Sequence, residues 1–314
     1  MASRNSRDID TLWDYSDPAG SEARFRRQLA RVRGTGSTPR RVELLTQVAR
    51  ARGLQGRFRS GHRCLDGARA GLPPGPSRVR VRYWLERGRL YNSEGKPPLS
   101  LPYFRRAWAE ARRLGQDALA VDAAHMIAIA LNSRKSDRWN RAGLRLAGRS
   151  PESRARRWKA SLWNNLGWSQ FARGEYAAAH SSFVRALRLR RRERGAAEVR
   201  VARWSVAKAL RHLGRTSDAL RIQQGLLAEH RRAGTNDGYV FEELGECLWT
   251  LGRREEARPH FRAAYAELRR DLGRAASESG RLERLRRRGQ DTVDRVRREG
   301  RPGVPGRRAP RRPR

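Results

Sequence analysis

The chain has 314 residues, enough for one large domain or two ordinary ones, and carries 71 Lys and Arg against 32 Asp and Glu, a formal charge of +39. Its two cysteines, Cys64 and Cys247, exclude a disulfide framework and a Cys-rich zinc site. No stretch approaches the ~20 apolar residues of a bilayer span, and residues 1–8 lack the apolar core of a secretory signal, so a cytoplasmic protein without membrane association is expected.

The charge is almost all arginine: Lys96, Lys135, Lys159 and Lys208 are the four lysines beside 67 Arg. Spread over the whole chain, this excess reads as a compositional bias more than as a localised site. It still creates a positive field that favours weak, salt-sensitive adhesion to polyanions.

In chain order, residues 1–36 begin without pattern and then offer Asp17-Pro-Ala-Gly-Ser-Glu22 leading into Ala23–Arg33, which predicts an N-terminal capping helix onto which Leu12, Trp13 and Tyr15 fold back. From 37 to 272 the pattern repeats. Six turn positions fall at 56, 95, 135, 174, 214 and 252, at intervals of 39, 40, 39, 40 and 38 residues. All but Lys135 are glycine, able to take the left-handed conformation that ends a helix. Each unit reads as two amphipathic helices with apolar residues three and four apart, over about 42–71, 78–114, 118–148, 158–194, 198–233 and 238–272.

Small residues at Ala179, Ala219 and Ala257 should let the second helix approach the first, with Phe104, Phe183 and Phe261 filling the space between pairs. Pro102 and Pro259 both stand seven residues after a turn glycine, which suggests the permissive first turn of the second helix. Within 273–314, about Glu278 to Glu299 predicts a basic capping helix. From Arg301 the Arg/Pro run cannot bury a core and is expected to be disordered.

The stretch Trp163-Asn-Asn-Leu166-Gly167, followed by Gly174, Tyr176 and then Ala179-x3-Phe183-x2-Ala186, resembles the tetratricopeptide repeat. The period exceeds the 34 residues usual for that repeat and is similar to longer variants in kinesin-light-chain-like and bacterial regulatory domains. The resemblance implies an all-α, right-handed superhelical solenoid of about six helix pairs, since one pair cannot bury its apolar face alone.

Motifs of chemistry are missing. There is no phosphate-binding loop, no G-x-G-x-x-G, no G-x-S-x-G and no H-E-x-x-H. The six histidines are scattered without ligand spacing, and adjacent acids such as Glu242-Glu243 diverge by ~100° on a helix. No catalytic residue, cofactor, metal ion or small-molecule substrate is therefore expected, and the chain reads as a non-enzyme.

In the resembled family the first helix of each pair lines the concave face. Carried over here, that face holds Arg50, Arg89, Asn92, Asn132, Asn164, Asn165, Trp168, Lys208, Arg211, Glu246 and Trp249. Asparagine suits such a surface because it offers a donor and an acceptor to a peptide backbone. The carboxylate clamp of the peptide-binding members would fall on His125, Ile129, Asn165, Val201 and Ser205, where Asn165 alone matches. The resemblance therefore implies a scaffold or adaptor that holds a peptide or helix of another protein. The alternative is a nucleic-acid or polyanion binder using the Arg-rich surface and tail.

Overall fold

The computed structural model describes residues 9–32, 38–131, 134–193, 195–272 and 278–290, and the chain divides into two compact units, 1–195 and 196–314. The described residues contain α-helices, short 3₁₀ stretches and no strand. The fold is an all-α solenoid of helix pairs.

In the first unit a 3₁₀ turn (Ile9–Leu12) and α1 (Pro18–Val32) precede four pairs. These are α2 (Thr38–Leu54) with α3 (Phe58–Arg69), α4 (Arg78–Ser93) with α5 (Pro97–Arg113), α6 (Asp117–Leu131) with α7 (Arg134–Arg149), and α9 (Lys159–Ala172) with α10 (Tyr176–Glu193). The short α8 (Ser153–Arg157) is inserted before the fourth pair. In the second unit α11 (Ala196–His212) pairs with α12 (Thr216–Arg232), α13 (Gly238–Thr250) pairs with α14 (Arg254–Leu272), and α15 (Ser279–Gly289) follows.

Glycine is what closes the turn within a pair. Gly56, Gly95, Gly174, Gly214 and Gly252 have φ between 71° and 78°. At Gly174 the amide donates to the Phe171 carbonyl, and the Glu175 amide reaches back to the Gln170 carbonyl at 3.0 Å. That is the pair of bonds of a Schellman cap, which satisfies carbonyls the helix end would leave bare. The same two bonds recur at each of the other four turns.

Three second-helix phenylalanines, Phe104, Phe183 and Phe261, are fully buried, and each ring lies against a first-helix glycine: Gly88, Gly167 and Gly245 respectively. Burying one such ring contributes about 1.5–3 kcal/mol. Ala179 and Ala257 are buried one turn before Phe183 and Phe261 on α10 and α14, and Ala219 is buried on α12.

Two expectations need correction. Lys135 is not a turn residue but lies inside α7. The buried stripe of that helix runs through Ser136, Asn140, Gly143 and Ala147, about one helical turn ahead of where an even period would set it. The inserted α8 restores the spacing afterwards, which is why the intervals looked regular across it. Second, Pro102 and Pro259 are each the sixth residue of their helix, so they stand in its second turn. Both are exposed, so water can reach the backbone beside them.

The ends are closed by further helices. Glu22 of α1 is buried and accepts from Arg52 Nε at 2.9 Å, Gln55 Nε2 at 3.0 Å and Arg57 Nη1 at 3.0 Å. Burial alone would raise its pKa, but these donors hold it below the usual carboxylate range. Trp13 packs edge-on to Phe25 of α1 at 5.0 Å. In the second unit α15 buries Leu285 and sets Gly289 against Arg262 of α14. The expected capping segment beyond residue 290, and the Arg/Pro tail from Arg301, lie outside the described residues.

Candidate functional site

In the first unit the first helices of successive pairs are joined by a ladder of charged groups. Arg50 on α2 donates to Glu86 on α4 at 3.3 Å, and Arg89, one turn along α4, donates to the same carboxylate at 2.6 Å. The second arm of Arg89 grips both oxygens of Asp122 on α6. One turn further along α6, His125 meets Asn165 of α9, whose Nδ2 donates to His125 Nδ1 at 3.0 Å. The ladder thus places Arg50, Arg89 and Asn165 on one continuous face.

Its electrostatics follow from burial. Glu86 and Asp122 are only 2 % and 7 % exposed, so an unpaired charge there would be costly. Burial would raise the Asp122 carboxyl, but Arg89 and Arg50 hold it below the ordinary carboxylate range. Arg89 is itself raised despite its burial, by Asp122 and Glu86. Burial pushes the His125 imidazole down to about 4, so it is neutral at pH 7 and its Nδ1 is free to accept the Asn165 proton.

Beside the ladder lies a cleft of about 560 Å³. Its wall comprises Arg50 of α2, Arg82 of α4, Asp122 of α6, Arg154 of α8 and Ser161 of α9, together with Asp10 and Tyr15 from the N-terminal segment. Asp10 bridges three helix-borne arginines: Arg82 at 2.8 Å, Arg154 at 2.7 Å and Arg78 at 3.8 Å. The Trp13 indole donates to Gln47 at 2.8 Å, and the Arg50 guanidinium lies 5.4 Å from the Trp13 ring and 5.3 Å from the Tyr15 ring.

The remaining first-unit positions behave differently. Asn92 is half-buried at the last turn of α4, where its carbonyl accepts from Gly95. Asn164 is half-buried on α9. Trp168 faces the second helix, 5.0 Å from the Phe183 ring and 5.5 Å from Phe171. Asn132 lies outside the described residues.

The second unit repeats the device. Lys208 and Arg211 on α11 both hold Glu243 on α13, with Arg211 Nε at 2.9 Å. Glu243 is 1 % exposed. Burial would raise its pKa, but the two cations keep it below the usual range. Glu246 accepts from Arg288 of α15 at 2.6 Å. Trp249 lies beneath that same guanidinium, 5.1 Å away, so this part of the face is covered by α15.

Sequence reasoning placed the cations and the asparagine but missed Glu86, Asp122 and Glu243. The signal was a spacing: each acid follows its cation by one repeat less about one helical turn, as Arg50 to Glu86, Arg89 to Asp122 and Lys208 to Glu243 show.

Among the described residues no three His, Cys, Asp or Glu side chains gather as a metal site would require. No described helix is long and apolar enough to cross a membrane. Helix pairs, five of the six closed by a glycine cap, with first helices linked side by side within each unit, define an α-helical repeat protein. Residues 160–197, over the α9–α10 pair, match the tetratricopeptide repeat model.

No curated protein matches the chain. Among solved structures, it is similar to a Pyrococcus horikoshii signal transduction ATPase with numerous domains that carries a tetratricopeptide repeat sensor. The TM-score is 0.67 at 11% identity, over 86% of this chain and 42% of that one. This chain therefore spans less than half of that protein's length. A tetratricopeptide repeat protein from Parabacteroides merdae aligns with TM-score 0.53 at 16% identity, over 88% of this chain and 96% of that one. A Rap protein complexed with Competence and Sporulation Factor gives TM-score 0.53 at 16% identity, over 90% and 88%.

Proposed function

We propose that the chain is a non-catalytic protein-binding scaffold that holds a peptide or helix of another protein against its first-helix faces. The observation that carries this reading is the open cleft of the first unit, whose walls come from the first helices of all four pairs and from α8. Its polar groups are fixed in place by the ladder from Arg50 to Asn165, and a site already ordered loses less freedom when it binds. Similarity in fold to a Rap protein solved with Competence and Sporulation Factor supports a ligand-holding role. Among the described residues of the cleft, Glu86 and Asp122 are ion-paired with Arg50 and Arg89, which suits a structural role for these acids.

A polyanion partner is the competing reading, drawn from the net charge of +39. On the first-unit ladder, however, Arg50 and Arg89 are already paired with Glu86 and Asp122, and in the second unit Lys208 and Arg211 share Glu243. Capture of partners from native lysate at 50 and 200 mM salt, with and without nuclease, separates the two. A groove-held polypeptide should survive both treatments. Loss of every partner on nuclease treatment, or an affinity drop of ~10³-fold or more across that salt range, would replace the scaffold with a phosphate binder.

A further inference from the structure

We infer that the first-unit cleft selects an acidic peptide with an aromatic residue close behind its acid, and that residues 9–15 are a built-in copy of that ligand which must be displaced. This rests on the scaffold reading and names its partner. The segment Ile9-Asp-Thr-Leu-Trp-Asp-Tyr15 runs along the first-helix face. Asp10 takes the converging guanidinia of Arg78, Arg82 and Arg154, drawn from α4 and α8, two elements far apart in sequence. Three residues on, Trp13 donates to Gln47 and lies under Arg50, with Tyr15 stacked on it at 4.9 Å. A carboxylate in a guanidinium cluster followed by an aromatic under a guanidinium is a recognition pattern, and here the chain's own segment satisfies it.

Two features make this occupant replaceable. The latch sits at the cleft mouth: the side chains of Asp10, Arg78 and Arg154 remain 34%, 41% and 40% exposed, and ion pairs that solvent reaches are weak. Space also remains beside it, in the cleft lined by Arg154 and the exposed Arg157. The segment is anchored by Ile9, fully buried with Phe25 and Leu44, while Trp13 is only half-buried and meets that cluster edge-on through Phe25, so Asp10, Trp13 and Tyr15 are the part exchanged and Ile9 and α1 keep their places.

The test uses the full chain and a fluorescein-labelled synthetic peptide of sequence Ile-Asp-Thr-Leu-Trp-Asp-Tyr-Ser-Asp, read by anisotropy. Because the internal copy competes, Asp10→Asn in the protein should tighten binding about tenfold. Arg78→Glu with Arg154→Glu should abolish it, and asparagine in place of the peptide's first aspartate should weaken it about tenfold. Hydrogen exchange on the unsubstituted chain provides a reading that does not depend on variants folding: saturating peptide should raise deuterium uptake in residues 9–15. Unchanged uptake, equal binding by the Asn peptide, or equal displacement by an oligothymidylate of the same net charge would each overturn the inference. A partner captured on the first-helix faces that ignores this peptide would overturn it while leaving the scaffold reading in place.

Discussion

Gly167 and Phe183 are a matched pair: a Cβ built on Gly167 would lie 2.5 Å from Phe183 Cε1, closer than real atoms approach. The same holds for Gly88 with Phe104 at 2.5 Å and Gly245 with Phe261 at 2.7 Å. Where the corresponding first-helix residue is alanine, the second helix carries something slimmer: Ala49 goes with Leu65 and Ala207 with Gln223, all four buried. One methyl on one helix sets the size of the side chain allowed on the other.

Gly167→Ala should therefore destabilise the protein by about 1–3 kcal/mol through overpacking, despite alanine's better helix propensity. Adding Phe183→Leu, which recreates the Ala49–Leu65 arrangement, should recover part of the loss. Urea midpoints of both singles and the double give the coupling directly, and strictly additive effects would refute the pairing.

Gln223 offers the opposite experiment. It is fully buried, and among the described residues neither atom of its amide has a hydrogen-bond partner. Gln223→Leu keeps the volume and removes the unsatisfied groups, so it should stabilise the second unit by about 1–3 kcal/mol. Thermal unfolding of the variant checks this, and a lower midpoint would show that the amide is satisfied in solution.

Much of this packing was legible in the sequence because glycine and phenylalanine announce themselves. The turns at Gly56, Gly95, Gly174, Gly214 and Gly252 could be read because helices in such pairs must end in a left-handed residue. The pair α6–α7 was misplaced because it has no glycine at its turn, and α8 concealed the shift. Arg50, Arg89, Asn165, Lys208 and Arg211 could be picked out as first-helix positions. Their partners Glu86, Asp122 and Glu243 could not, since in a chain with 67 Arg an acid on a helix looks like ordinary surface charge.

Arg89 holds two buried carboxylates, and removing it leaves Glu86 with Arg50 alone and strips Asp122 of its guanidinium. Arg89→Ala should cost about 3–5 kcal/mol, as for other broken buried pairs. Arg89→Met with Asp122→Leu should cost much less, because no charge is then stranded. Chemical denaturation of the two variants distinguishes this from a merely steric loss, which would fall equally on both.

Acid should loosen the first unit before its carboxylates titrate. His125 is pushed down to about 4 from an ordinary 6.5, so between those values the unfolded chain binds more protons than the folded one. Stability therefore rises with pH across that window and is lost on acidification through it. His125→Gln, which can still accept from Asn165, should reduce the loss between pH 7 and pH 5 by about 1–2 kcal/mol. Urea midpoints at the two pH values measure it, and an identical loss in parent and variant would show that His125 is protonated in the folded chain.

The scaffold reading is tested most directly by where a bound polypeptide protects the chain. Peptides selected from a random display library on the full chain, then examined by hydrogen exchange, should protect α4, α6 and α9 around Arg89, Asp122 and Asn165, leaving α5, α7 and α10 unchanged. Protection confined to those second helices, or no selectable peptide at physiological salt, would contradict it.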